Sequence, residues 1–125
     1  MRVDEVAREL SLDVVAGAGG LGREITGAYV GDLLSRVMAG ARPGYLWVTV
    51  QAHPNVIAVA VLEELAAVII AEDVKPDPVG LAKAEEEGLP VLTTERSAFE
   101  VCVGLARLGL GGSPPAERWT LGVES

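Results

Sequence analysis

The chain has 125 residues and a formal net charge of −8; half of its residues are hydrophobic and only 4% are aromatic. A chain of this length forms one domain and is too short for two. The excess of acidic residues argues against a nucleic-acid-binding protein, because such proteins neutralise phosphates with a basic surface. The few aromatic residues leave Val, Leu, Ile and Ala to build the core, which is typical of helices packed on a buried parallel sheet.

Cysteine content and hydropathy restrict the chemistry and the compartment. Cys102 is the only cysteine, which excludes an intrachain disulfide and a cysteine-based zinc site. Its apolar neighbours predict a small buried hydrophobic residue. The N-terminus lacks the apolar core of a signal peptide, and no apolar run approaches the roughly 20 residues that span a bilayer. We therefore expect a cytoplasmic protein.

The first third of the chain predicts two helices and two strands. Hydrophobic spacing places them at residues 4–10 (helix), 12–16 (strand), 25–30 (strand) and 32–39 (helix, with Asp32 as its N-cap). The glycines at 17, 19 and 22 match G-x-G-x-x-G, but a dinucleotide site needs a helix directly after that loop. A strand pattern follows instead, so we interpret the loop as a turn between strands.

From residue 45 onward, a strand followed by a helix repeats three times. The strands are predicted at 45–50, 66–71 and 90–94, and the helices at 55–65, 78–87 and 98–108. Such alternation predicts parallel βαβ units with right-handed crossovers, and hence an α/β fold. We expect the first two strands to complete the sheet in another orientation.

Several residues mark the predicted helix ends. Asp77 precedes Pro78, a pairing typical of an N-cap followed by the first helical residue. Ser97 and Glu100 have the spacing of a capping box, and Gly88 stands where a helix C-cap glycine belongs.

The last fifteen residues differ in composition from the rest. Residues 111–115, Gly-Gly-Ser-Pro-Pro, are typical of a linker. We expect one domain over residues 1–110 and a flexible tail over 111–125, with Trp119 as a residue that docks against the domain or a second subunit.

A cluster of polar side chains between two apolar segments is the best candidate for a binding site. In open α/β sheets, ligands bind outside the carboxyl ends of parallel strands, where helix N-termini present free N–H groups. A structural interpretation, capping of the following helix, accounts for the cluster except Gln51 and His53. The predicted ligand-binding residues are Asp32, Ser35, Thr49, Gln51, His53, Asn55 and Thr94. Neither a catalytic set nor a metal site can be assigned from the spacing.

Several segments together resemble the stand-alone DRTGG-domain proteins. They are residues 32–38 (DLLSRVM), 46–49 (LWVT), 51–62 (QAHPNVIAVAVL), 75–77, 84–92 and 97–100. The resemblance covers nearly the whole chain before the tail. It implies a three-layer α/β/α sandwich with a mostly parallel central sheet of about five strands, like the N-terminal domain of HPr kinase/phosphorylase.

The resemblance also implies a function. It is that of a non-catalytic regulatory or sensing domain that binds a small ligand, anionic or a nucleotide, or a partner protein. The expected partners are a second copy of the chain, in a homodimer or larger oligomer, and a signalling or hydrogenase protein in redox regulation. The cofactor is left unknown, and neither nucleic acid nor membrane is expected as a partner. The alternative is an enzyme or enzyme subunit that uses His53 as general acid–base.

The chain departs from the residues that give this family its name. Where an Asp-Arg pair is expected, this sequence has the loop at residues 51–55. Where Thr-Gly-Gly is expected, it has Ala71, Glu72 and Asp73. The two carboxylates would repel a phosphate placed beside them.

Overall fold

Five strands form a single sheet in the order β1-β5-β4-β3-β2 in the computed structural model, which describes residues 1–110. β2, β3, β4 and β5 are parallel, and β1 pairs antiparallel with β5 in a register that sets Asp13 opposite Thr93. The strands are β1 Asp13–Ala16, β2 Gly27–Val30, β3 Tyr45–Thr49, β4 Ala67–Ile70 and β5 Val91–Thr93. The predicted α/β fold with a mostly parallel sheet is confirmed.

In the described part of the chain, five helices cover the two faces of this sheet. Val37 of α2, Val56 of α3 and Ala84 of α4 belong to one hydrophobic cluster, whereas Val6 of α1 and Val101 of α5 belong to another on the opposite face. Helices connecting neighbouring parallel strands in one direction fall on one face, because such crossovers are right-handed. The helices are α1 Val3–Glu9, α2 Leu34–Gly40, α3 Asn55–Leu62, α4 Pro78–Glu87 and α5 Ala98–Arg107. The fold is therefore a three-layer sandwich.

The three central strands carry the core. Every residue of β4 is buried, and in β3 the same holds from Leu46 to Thr49. Continuous burial is expected for parallel strands covered on both faces. Trp47 is completely buried on the face of α2, α3 and α4, and its indole N–H donates to the carbonyl of Gly31 at 2.8 Å. This bond fixes the end of β2 beside β3.

Most of the predicted helix ends are present. The carboxylate of Asp77 accepts from the N–H of Val79 at the start of α4, and Gly88 ends that helix with φ 66°. Ser97 and Glu100 form the capping box of α5. The predictions for Asp77, for Gly88 and for the capping box of α5 are therefore confirmed.

Two predictions in the first third of the chain are wrong. β2 is parallel to β3, although we expected another orientation for both early strands. Asp32 is not the N-cap of α2, which begins at Leu34 after Leu33. Its carboxylate instead bonds to the neighbouring strand, a long-range contact that local spacing does not reveal.

The glycine-rich loop is a turn between β1 and β2, as predicted. It contains a single 3-10 turn over Ala18–Gly20 and leads towards β2 rather than into a helix. Gly17 has φ 73°, and a Cβ at this position would collide with the carbonyl of Leu89. Position 17 therefore requires glycine, because the backbone packs closely against Leu89, just before β5.

Cys102 and the tail complete the comparison with the predictions. Cys102 is half-buried rather than fully buried. The described part of the chain contains no helix long and apolar enough to cross a membrane. The predictions for the flexible tail and for Trp119 lie outside the described residues.

Candidate functional site

The carboxyl ends of β2, β3, β4 and β5 lie along one edge of the sheet. The loops that leave this edge begin at residues 31, 50, 71 and 94. The two positions at which the family's name-giving residues are expected, 51–55 and 71–73, follow β3 and β4 directly. Neighbouring parallel strands therefore bring both positions to the same edge, where ligands of open α/β sheets bind.

Three of the predicted site residues form one hydrogen-bond network between β2 and β3. The Asp32 carboxylate accepts from the hydroxyl of Thr49 at 2.7 Å and from the N–H of Val50 at 2.9 Å. The side-chain amide of Gln51 donates to the carbonyl of Asp32 at 3.3 Å, and its N–H donates to the Thr49 hydroxyl at 3.1 Å. The buried Thr49 is fully engaged, so this network holds the two loops together.

His53 and Asn55 lie at the start of α3. Nδ1 of His53 accepts from the N–H of Asn55 at 3.0 Å, and this N–H is one of the donors that a helix start leaves free. The His53 side chain thus does the capping expected of Asn55, which is the first residue of the helix. The cavity that His53 and Gln51 border has a volume of about 10 Å³, room for no more than a water molecule.

The loop after β4 has an unusual backbone that sequence reasoning missed. Glu72 and Asp73 have φ 64° and 59°, in the left-handed region that favours glycine. Their N–H groups donate to the carbonyls of Arg96 and Thr94 at 2.8 and 2.9 Å. In the family's name-giving motif, glycines are expected at these two positions. Those glycines could have predicted the left-handed turn, because glycine adopts this backbone without strain.

The side chain of Glu72 connects this loop to α5. Its carboxylate accepts from the N–H of Ala98, the first residue of α5, at 3.2 Å. A carboxylate at a helix N-terminus is favoured by the free N–H groups and the helix dipole. The Glu72 carboxylate therefore occupies the helix N-terminus, where an anionic ligand would otherwise bind.

A cleft of about 220 Å³ lies beside the same loop, between β1, the loop after β4 and the end of β5. The chain leaves β4 towards α4 on one face and leaves β5 towards α5 on the other, and such a divergence is where open sheets form binding crevices. We call this space the switch-point cleft. Its lining is Asp13, Val15, Asp73, Val74, Lys75, Pro76, Thr93, Thr94 and Glu95.

The charges of the switch-point cleft are mostly negative. Asp13, Asp73 and Glu95 contribute carboxylates, and Lys75 contributes the one cation among the lining residues. Lys75 Nζ lies 3.0 Å from a carboxylate oxygen of Asp73. The remaining acidic groups disfavour a phosphate and favour hydroxyl or amino groups of a ligand.

The structure divides the predicted site residues rather than gathering them in one cleft. Thr94 lines the switch-point cleft at β5, whereas Asp32 follows β2, three strand spacings or about 14 Å away. Ser35 lies in the first turn of α2 and is exposed. Within residues 1–110, no group of three or more His, Cys, Asp or Glu side chains is arranged to hold a metal ion.

The comparisons with known proteins confirm the resemblance seen in the sequence. The family model of the DRTGG domain matches residues 5–108. A similar solved structure contains the CBS and DRTGG domains of the regulatory region of Clostridium perfringens pyrophosphatase, complexed with the activator diadenosine tetraphosphate. Its TM-score is 0.69 at 13% sequence identity, and the similarity covers 82% of this chain and 44% of that chain. At this identity the likeness shows the fold alone. No curated protein matches.

Proposed function

Because the chain belongs to the DRTGG domain family, we propose that it is a cytoplasmic regulatory domain without catalytic activity that binds a small ligand in the switch-point cleft. The observation that carries this proposal is the left-handed backbone conformation of Glu72 and Asp73, in the loop beside that cleft. Non-glycine residues in this backbone region cost free energy and are concentrated at ligand sites and switches.

The charge of the cleft specifies the class of ligand. Its carboxylates outnumber its cation, and the cation is already paired. A neutral or cationic group with hydroxyl or amino hydrogens suits these acceptors and the hydroxyls of Thr93 and Thr94. For a nucleotide, we propose that the nucleoside enters the cleft and that phosphates stay outside.

The contacts of His53 favour this proposal over the alternative of an enzyme. A catalytic histidine is usually oriented by a carboxylate that bonds one ring nitrogen while the other faces the substrate. Nδ1 of His53 instead accepts a backbone N–H, and the Asp32 carboxylate is engaged by Thr49 and Val50. We propose that Asp32, Thr49, Gln51, His53 and Asn55 hold the edge of the sheet in shape and that Thr94 contacts the ligand.

Ligand binding would be transmitted through α5. Glu72 bonds the first residue of α5, and the loop that carries Glu72 borders the cleft through Asp73. A ligand that displaced this loop would alter the contact at the start of α5 and shift the helix between two positions. A shift between two states, with different ligand affinities, is the general basis of regulation.

Self-association is the second part of the proposal, and α3 supports it. Seven of the eight residues of this helix, all except Asn55, are apolar, although one side of it faces outwards. Leu62 is 67% exposed, and Val79 on the neighbouring α4 is 69% exposed. A helix that is apolar on all sides is normally buried, so we propose that a second copy covers this surface. The link to a signalling or hydrogenase partner belongs to the same proposal.

A thermal-shift experiment tests the ligand site. The panel is adenosine, AMP, ATP and diadenosine tetraphosphate, and we expect the stabilisation at equal concentration to fall as phosphates are added. Thr94→Val and Glu95→Gln should reduce the shift, whereas Ser35→Ala, at the other end of the sheet, should leave it unchanged. Equal shifts in all variants, or no shift with any compound, would contradict the proposed site.

Light scattering coupled to size exclusion tests self-association. We expect a dimer or larger assembly for the wild type and a monomer for Leu62→Glu. Phe99→Glu is the matched control, because Phe99 is 77% exposed but lies on α5, on the opposite face. A monomeric wild type, or dissociation by Phe99→Glu alone, would exclude the α3 surface as the interface.

A further inference from the structure

An open groove of about 490 Å³ lies between the end of α1 and the outer side of α5. Leu10 at the end of α1 packs close to α5 because residue 104 is glycine; a Cβ there would lie 2.8 Å from Cδ2 of Leu10. Phe99 and Val103 of α5 border the space beside this contact. We call it the α1–α5 groove.

The groove carries the most exposed large hydrophobic side chain of the described residues. Phe99 is 77% exposed, whereas Val101 and Leu105 of the same helix are buried in the core. Val103 is partly exposed and follows Phe99 by four residues, so the two side chains are neighbours on the outer side of α5. The helix therefore packs into the core without its one aromatic residue, a residue type enriched in protein interfaces.

Basic side chains lie at both ends of this apolar surface. Arg96 precedes α5 by two residues and Arg107 is its last residue; both are exposed and border the groove. Within residues 1–110, neither guanidinium forms a salt bridge. Glu9 and Glu100 also border the groove, but the Glu100 carboxylate already accepts from the N–H and hydroxyl of Ser97. The arginines are therefore the charges best placed to pair with another molecule.

The pattern of the groove specifies the chemistry of its occupant. Apolar side chains suit its middle, and carboxylates suit the arginines at its ends. The ten residues of α5 are about 15 Å long, the length of about three helical turns of a partner. A lipid surface or a nucleic acid is disfavoured, because the chain has a net charge of −8. The groove therefore fits an acidic, partly apolar segment of a protein.

The groove is connected to the loop that borders the switch-point cleft. The carboxylate of Glu72 accepts from the N–H of Ala98 at 3.2 Å, and the N–H of Glu72 donates to the carbonyl of Arg96 at 2.8 Å. These two bonds hold the segment that directly precedes Phe99. Asp73, the next residue of the loop, borders the cleft. A displacement of this loop therefore changes the positions of Arg96 and Phe99 in the groove.

We propose that the α1–α5 groove binds a segment of a partner protein in which apolar side chains lie between acidic residues. The apolar side chains contact Phe99 and Val103, and the carboxylates pair with Arg96 and Arg107. The inference rests on the proposed function in one respect: ligand binding in the switch-point cleft changes the affinity for this segment through Glu72. The docking surface itself depends only on α1 and α5.

Fluorescence anisotropy with a synthetic helical peptide tests the surface. The probe is a labelled peptide of about fifteen residues, or four helical turns, with a leucine stripe and glutamates at both ends. The control peptide has lysines in place of the glutamates. We expect the full chain to bind the glutamate peptide about tenfold more tightly, although its net charge favours the lysine peptide, and we expect this preference to shrink in high salt. Absence of binding, or equal affinity for the two peptides, would overturn the proposal.

Matched variants locate the bound peptide. Phe99→Ala should weaken binding about tenfold, whereas Val79→Ala, at a residue that is 69% exposed on the opposite face, should not change it. Arg107→Glu should also weaken binding about tenfold, whereas Arg36→Glu, at an exposed residue of α2, should not. Unchanged affinity in Phe99→Ala, or loss of binding in Val79→Ala alone, would contradict the proposed groove.

Two other occupants are distinguished with the same variant. Dissociation of the wild-type assembly by Phe99→Ala would show that a second copy of the chain occupies the groove. Sedimentation of the wild type, but not of Phe99→Ala, with phosphatidylserine vesicles would show that the groove contacts a lipid surface. Either result would overturn the proposal.

Adenosine tests the connection to the switch-point cleft. It should change the affinity of the wild type for the glutamate peptide about fivefold and leave that of Thr94→Val unchanged. A thermal shift with adenosine but no change in peptide affinity would contradict the connection and leave the ligand site standing. Peptide binding by a chain that adenosine does not stabilise would contradict the ligand site and leave the groove standing.

Discussion

The hydroxyl of Thr49 donates to the carboxylate of Asp32 at 2.7 Å and joins the ends of β2 and β3. Asp32→Ala would leave that buried hydroxyl and the N–H of Val50 without their acceptor. We expect the free energy of unfolding to fall by about 1–3 kcal/mol, the cost of leaving buried polar groups unsatisfied. Urea unfolding followed by circular dichroism measures it. Ser35→Ala, also exposed and three residues away, is the control and should change stability by less than about 0.5 kcal/mol.

Because the backbone of Glu72 is left-handed, we expect a glycine at this position to give a more stable protein than an alanine. Alanine in this region is strained, whereas glycine is not, so Glu72→Gly should be more stable than Glu72→Ala by about 1 kcal/mol. Both variants lose the hydrogen bond to the Ala98 N–H, so the difference between them reports the backbone strain alone. The midpoints of their urea unfolding curves give the order. A more stable alanine variant would show that the turn has no such backbone in solution.

The capping box of α5 gives a prediction for stability and its pH dependence. The N–H and hydroxyl of Ser97 bond the Glu100 carboxylate and hold the pKa of Glu100 below its ordinary value. A lowered pKa stabilises the fold fully above the ordinary pKa of about 4.3, and this contribution is lost as the pH falls through the lowered value.

Two variants test this capping box. Ser97→Ala should cost about 1 kcal/mol near neutral pH. The stability difference between the wild type and Glu100→Gln should be largest near neutral pH and should shrink as the solution is acidified below about pH 4. Thermal unfolding between pH 3 and 7 measures it. A difference that stayed constant over this range would show that the Glu100 charge does not contribute.

The role of His53 is tested by replacing its acceptor. His53→Ala removes the partner of the Asn55 N–H and should destabilise the domain by about 0.5–1 kcal/mol. His53→Asp restores an acceptor without an imidazole and should recover most of that loss. Ligand stabilisation should be the same in His53→Asp as in the wild type. If ligand no longer stabilised the His53→Asp variant, His53 would have to contact the ligand.

Local chemistry explains why so much of the fold was predictable. The capping box at Ser97 and the proline at the start of α4 are decided within a few residues, so their helices were placed correctly. The orientation of β2 was not predictable in this way, because the pairing of Gly27 with Tyr45 depends on contacts between distant segments.

The candidate site was harder to predict than the fold for the same reason. Gln51 and His53 were identified as polar residues at a strand end, but their partners lie in other loops or in the backbone. The switch-point cleft combines Asp13 of β1 with Thr94, the residue that follows β5; these residues are 81 positions apart and meet only because β1 pairs with β5. No local pattern contains that information.

The pairing of Asp13 with Thr93 has a consequence for synthesis of the domain. During translation β1 emerges early, yet its partner strand is made only after three further helices and three further strands. Until then β1, with Val14 and Val15, has no strand to join, and the sheet cannot close at this edge. Contacts this distant in sequence slow folding. We therefore expect nascent chains that end before β5 to need protection from aggregation, and the domain to fold only once residue 93 has left the ribosome.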